Sequence, residues 1–192
     1  MTVPVRRATD DDLERAEAAL RGAFSDYPWT RWTVPEDRHA ERVGALQRLY
    51  LERLALPHGA VWVDEQVRAV AAFVPPDAPP LPDDALGQVL ELHGDLLPRL
   101  ESADALTSEH ADPDAWSLAT VGVDPAHQGQ GLGGAVCRAG LDHLDEQRQA
   151  CGLETSDPRN VRLYERLGFG VVARTEISEG GPTVWTMHRA SR

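Results

Sequence analysis

"HQGQGLGGAV", His127 to Val136, places four glycines within six residues and then runs into a segment with helical spacing. Glycine permits backbone conformations and close approaches that other residues resist. The first amides of a helix have no intrahelical partners and sit at the positive end of its dipole. A glycine run that opens a helix therefore predicts a backbone cradle for an anion.

Three patterns accommodate these glycines. A glycine-rich turn without a ligand is the plainest. Gly129, Gly131 and Gly134 also satisfy G-x-G-x-x-G, with Glu154 at the end of the next predicted strand, where a ribose-binding acid would sit. Against that, "DPAHQ" separates the glycines from the strand "AWSLATVGV", and only 38 residues follow Glu154, too few for the rest of a dinucleotide enzyme. The third pattern, Q-x-x-G-x-G, is filled by Gln128, Gly131 and Gly133. It makes "VGVDPAHQGQGLGGAV" a strand, loop and helix N-terminus that together cradle a pyrophosphate. A second motif, "NVRLYERLGF" (Asn160 to Phe169), lies about 30 residues on with a strand between. Asn160 and Tyr164 are four apart, so on a helix they share one face and can meet one ligand.

On these two motifs, in this order, the sequence resembles the GNAT superfamily of N-acetyltransferases. The resemblance implies an α/β (α+β) GNAT fold: a central mixed, mostly antiparallel twisted sheet flanked by helices, with a V-shaped splay between the two central strands. It implies acetyl-CoA (coenzyme A) as cofactor, its pyrophosphate on Gln128, Gly129, Gln130, Gly131, Leu132, Gly133 and Gly134. The pantetheine arm would pair with backbone around Val121, Gly122 and Val123 like an added strand, and Gly122 would ease the splaying of the sheet. Asn160 and Tyr164 would complete the cofactor site, with Tyr164 protonating the departing thiolate. The Val121 N–H would polarise the thioester carbonyl.

Many family members carry a glutamate on the strand before the glycine loop, but "AWSLATVGV" has no acid. Glu154 on the neighbouring strand is the substitute, as base or as a partner for the substrate ammonium. A weak or water-relayed base suffices for an α-amine, whose pKa is about 7.7–8.

The bulk numbers agree. A chain of 192 residues, 42% hydrophobic, suits a single domain over 1–192. Nineteen basic against 31 acidic residues give a net charge of −12, which disfavours nucleic acid and anionic membranes and favours a cationic partner. All 19 basic residues are arginine, so Schiff-base chemistry and a P-loop lysine are excluded. Cys137 and Cys151 lack metal-ligand spacing, and no metal is expected. With no apolar block resembling a membrane span or signal peptide, a cytoplasmic protein is expected. The family often dimerises, so a homodimer is a candidate state.

Along the chain, Thr9 with Asp12 starts a helix to Phe24, with Leu13, Ala16 and Leu20 on one face. "SDYPWTRW" reads as an aromatic connection, and Pro35 as the start of a second helix through Leu54. "GAVWVDEQVRAVAAFVPP" reads as two strands around a turn at Asp64-Glu65-Gln66. Residues 75 to 115 are prolines and weak helix signals, with a helix expected over Asp83–His93. Helices to about Glu146 and over Pro158–Leu167 flank the strand "CGLETS", and "VVARTEI" and "TVWTM" close the chain.

Outside the cofactor motifs, "FSDYPWTRWTVPEDRHAERV", "GAVWV", "LETSDPRNVRLYERLGF" and "TVWTM" resemble, in order and spacing, one branch of the superfamily, the puromycin N-acetyltransferases. That likeness implies a small-molecule amine acceptor of aminoacyl-nucleoside type. Tyr27, Trp29, Trp32 and Trp116 would offer stacking faces to it, with core packing the competing role for each tryptophan. Trp29, Trp32 and residues 75 to 114 depart from that branch. A protein or peptide acceptor and a non-catalytic acyl-CoA-binding module are the alternatives.

Overall fold

In the computed structural model, which describes residues 3–192, the apolar and β-branched runs form one seven-stranded sheet. Its strands are β1 (Val5–Arg7), β2 (Ala60–Asp64), β3 (Ala69–Val74), β4 (Trp116–Val123), β5 (Cys151–Thr155), β6 (Gly170–Glu176) and β7 (Thr183–Arg189), in the order β1-β2-β3-β4-β5-β7-β6. Every neighbouring pair is antiparallel except β4 with β5. The β2–β3 turn is tight because the Asp64 carboxylate accepts from the Arg68 and Ala69 amides at 2.7 and 2.8 Å. It thereby stands in for the ladder that the turn interrupts.

Among the described residues, eight α-helical segments surround the sheet. α1 (Leu13–Phe24) follows a 3-10 turn capped by a reciprocal Thr9–Asp12 box. α2 (Pro28–Thr33), α3 (His39–Tyr50) and α4 (Leu56–His58) come next, the last two joined by π-helical Leu51–Ala55. α5 (Asp83–His93) and α6 (Leu97–Thr107) precede β4, α7 (Leu132–Glu146) lies between β4 and β5, and α8 (Pro158–Arg166) between β5 and β6. One face of the sheet carries α7, whose Val136, Leu141 and Leu144 are buried with Phe73, Leu118, Leu153 and Met187. The other carries α1, whose Leu13, Ala16 and Leu20 are buried with Val61, Val63 and Val70. Beyond Tyr164, Gly168 adopts φ +94° and ends α8, the left-handed stop that glycine tolerates.

The second helix starts at His39 rather than at Pro35, because Arg38 takes a left-handed φ of +51° and breaks the chain direction there. "SDYPWTRW" contains the short helix α2, with Pro28 at its first turn. Gly122 has a different task from the one expected of it. A Cβ there would lie 2.6 Å from Leu20 Cδ2 and 3.0 Å from the Ala23 Cβ, so its bare backbone admits α1 onto β4. The irregularity in the sheet lies further back along β4: Ala72 pairs with Thr120 and Phe73 with Leu118, leaving Ala119 as a bulge. Among the described residues no helix is long and apolar enough to cross a membrane.

Candidate active site

β4 and β5 pair over two rungs only, Trp116 with Cys151 and Ser117 with Gly152, with Trp116 N–H donating to the Ala150 carbonyl at 3.0 Å. Past the Ala119 bulge they separate, while β4 stays paired to β3 as far as Val123. Asp124 N–H donates to the Arg68 carbonyl on the β3 side. Successive residues of a strand present their backbone groups to opposite edges, so the amides of Val123 and Val121 face the gap. The gap is a V with a free strand edge along one wall.

The wide mouth of the V meets the glycine loop. Asp124 caps a 3-10 turn, accepting from Ala126 N–H at 2.9 Å. Gln128 reaches back and donates through Nε2 to the Val123 carbonyl at 3.2 Å, so its side chain braces the loop against the end of β4. Gly129 and Gly131 have φ of +77° and +78°, with open space where a Cβ would stand. Gly131 caps α7, and the Ala135 N–H already bonds the Gly131 carbonyl. The amides of Leu132, Gly133 and Gly134 are the ones left for an outside acceptor. A Cβ on Gly133 would press on Val123 at 3.2 Å. On the β1 side of this turn a cleft of about 580 Å³ is lined by Val3, Val5, Gln130, Gly131, Arg138 and Asp142. Arg159 is committed to Asp157, with its Nη2 2.7 Å from the carboxylate. The loop thus offers free amides, a helix dipole and one cation, which suits a phosphate-bearing ligand.

Along the V, Thr155 Oγ1 gathers Tyr27, Asn160 and the Asp157 amide at 2.9, 3.4 and 3.4 Å. Tyr27 also accepts from the Ser156 N–H at 2.7 Å. Tyr164, one turn after Asn160, is 7% exposed and meets Phe169 edge-on at 5.9 Å. Burial, with Cys137 and Tyr27 nearby, holds its pKa well above the usual tyrosine value, so the hydroxyl keeps its proton.

At the narrow end, on the α1 side of the sheet, lies a cleft of about 520 Å³ lined by Trp116, Ala119, Glu154, Thr186 and His188 among others. Glu154 is exposed to it. Loss of water around its carboxyl raises its pKa above the ordinary glutamate value; the Thr107 hydroxyl pulls the other way, and the charge of Asp104 adds to the rise. Both α6 residues fall in the stretch that the sequence leaves unreadable.

Of the aromatic residues expected around an acceptor, Trp116 lines this cleft and Tyr27, Trp29 and Trp32 lie outside its lining. Trp32 is 8% exposed, packed with Ala103, Ile177 and Val184, and the Arg99 guanidinium lies 5.6 Å from its ring. Trp29 leans on it at 5.9 Å. Their indoles pack α2 against Ala103 of α6. Thr186 and His188, which sequence reasoning passes over, join Glu154 in the cleft because β5 and β7 are paired with Glu154 opposite Thr186, and Asp112 joins from the loop before β4.

A model of the acetyltransferase (GNAT) family matches residues 23–169. A mycothiol acetyltransferase of Mycobacterium sp. (strain JLS) is 34% identical over 125 residues, 60% of this chain. The match spans 37% of that relative, so this chain corresponds to little more than a third of its length. Among solved structures, one described as histone acetyltransferase HPA2 and related acetyltransferase, from Corynebacterium glutamicum, superposes with a TM-score of 0.78 at 24% identity, covering 100% of this chain and 98% of that one. A mosquito protein described as arylalkylamine N-acetyltransferase like 5b superposes with a TM-score of 0.59 at 18% identity, covering 97% of this chain and 98% of that one. At such identities these likenesses are of fold.

Proposed function

The chain belongs to the acetyltransferase (GNAT) family, an enzyme family that takes its acetyl group from acetyl-CoA, and from that premise we propose that it acetylates the primary amine of a small molecule held beside Glu154. One observation carries this reading: the V between β4 and β5 has the free amides of the glycine turn at its mouth and a cleft holding Glu154 and Asp112 at its apex.

The residues present fit acetyl-CoA. The free amides of Leu132, Gly133 and Gly134 would hold its pyrophosphate, with no Cβ at Gly129 or Gly131 in the way. Arg138, rather than the paired Arg159, would meet a further phosphate. The free edge of β4 at Val121 and Val123 would take the amide-bearing arm as an extra strand. When bound, the cofactor supplies an acetyl group activated as a thioester.

The protein's part is to place charge and move protons. Val121 N–H, turned into the gap, donates to the carbonyl oxygen as negative charge builds there. Glu154 takes the proton that the amine gives up as its nitrogen bonds the carbonyl carbon. Tyr164 gives its proton to the sulfur as the C–S bond breaks. An amide and a free thiol leave, and the two side chains re-equilibrate through water.

The likeness to puromycin N-acetyltransferases makes an aminoacyl-nucleoside the first acceptor to try, beside simple alkyl and aryl amines. Incubation with acetyl-CoA and each amine, followed by mass spectrometry, tests the reading. An added acetyl group on the amine nitrogen supports it. Acetylation of peptides alone, or tight CoA binding with no product from any amine, overturns it.

A further inference from the structure

Resting on that reading of the cleft as an acceptor site, we infer that it selects an amine carrying a second positive charge, with the reacting nitrogen at Glu154 and the far cation at Asp112. Of the residues that line the cleft, Asp112 and Glu154 are acids and none is arginine, although the chain has 19 arginines. Asp104 adds its field to that of Glu154 from the α6 side.

A second observation points to a ligand with N–H donors. Thr186 is 3% exposed, lines the cleft, and its Oγ1 has no hydrogen-bond partner in the protein. A buried hydroxyl left unpaired carries a desolvation cost, which an ammonium group beside Glu154 would remove. Glu154 and Thr186 face each other across one rung of the β5–β7 ladder.

The spacing sets the reach. Gly152 opposite His188 is the rung two residues away on the same face, about 7 Å along the strand. The Asp112 carboxylate sits 3.2 Å from the Nε2 of His188, the side chain that stands on that far rung. A short alkyl diamine such as putrescine or cadaverine spans this interval between its nitrogens. A monoamine would satisfy Glu154 and leave Asp112 with His188 and no ligand cation.

The test compares putrescine and cadaverine with butylamine and pentylamine, using wild type and Asp112→Asn. By thiol release, kcat/KM for each diamine should exceed that for the matched monoamine by about tenfold, and D112N should shrink that ratio towards one. Equal values in wild type, or a preference that survives D112N, would overturn the inference while leaving the acetyltransferase reading intact. If no amine gives release, acetyl transfer to amines fails, and calorimetry on the CoA-loaded protein decides the inference by itself. Putrescine binding roughly tenfold tighter than butylamine supports it, and equal binding overturns it.

Discussion

The Tyr27 hydroxyl accepts a hydrogen bond from the Ser156 amide at 2.7 Å, across 129 positions of sequence. It ties the turn between α1 and α2 to the end of β5, and its contact with Thr155 Oγ1 at 2.9 Å brings Asn160 into the same cluster. Tyr27 is thus a positioning residue: it fixes the wall of the V opposite β4.

Replacing it with phenylalanine keeps the ring against Phe24 and removes the acceptor for Ser156. Tyr27→Phe should lower unfolding stability by about 1–2 kcal/mol, the usual consequence of leaving a buried amide unpaired. It should also lower kcat through the displaced Tyr164 neighbourhood. Urea unfolding and steady-state kinetics check this; unchanged values in both would show that the tether is idle.

Gly131 and Gly122 should fail in different ways. Gly131 has a φ of +78° in open space, so Gly131→Ala costs about 1–2 kcal/mol of backbone strain and should raise the KM for acetyl-CoA. Gly122→Ala meets Leu20 instead, and should destabilise by about 1–3 kcal/mol through overpacking with a smaller effect on that KM. Melting curves beside KM values separate the two.

Asp12 gives an acid-sensitive link at the start of α1. Its bidentate bond to Arg6, at 2.7 and 2.8 Å, lowers its pKa to about 2 against the opposing effect of burial. A pKa lower in the folded than in the unfolded chain contributes stability at neutral pH, and that contribution is lost as pH falls from about 4 to about 2. With Arg6 42% exposed, solvent screening leaves about 1 kcal/mol. Asp12→Asn should remove that amount at pH 7 and flatten this part of the stability profile.

For Glu154 the sign runs the same way in activity. The carboxyl must be ionised to take the amine's proton, and its pKa is raised. The acid limb of kcat/KM should therefore lie above the ordinary glutamate range, near 4.3, and vanish from the much lower profile of Glu154→Gln. An unchanged acid limb in that variant would assign the proton to another group.

Much of the proposed site is legible in the sequence because its proposed cofactor half is local. The glycine loop, α7, and the Asn160–Tyr164 face each occupy one short segment whose geometry follows from spacing, and the helix expected over Asp83–His93 has those bounds in the structure. The acceptor half is not local. Asp104, Asp112, Thr186 and His188 come to Glu154 through α6, the loop before β4 and the β5–β7 register, none of which is written in a periodic pattern. α6 buries only Ala103 and Thr107, too little to leave an apolar stripe. β1 has three residues and α2 six, too short for either period to repeat. The tryptophans of α2 mislead because a large aromatic looks the same in sequence whether it packs on a neighbouring helix or faces a ligand.

The most direct measurement is free-thiol release from acetyl-CoA by wild type and by Tyr164→Phe with one good amine acceptor. Cys137 and Cys151 are buried, with burial raising both pKa values to about 12, so a thiol reagent reads the CoA set free. Tyr164→Phe should cut kcat by about 10²-fold and leave the KM for acetyl-CoA within a small factor. Wild-type release that the variant matches would contradict the assignment of Tyr164 as the acid, and no release from wild type with any amine would contradict acetyl transfer itself.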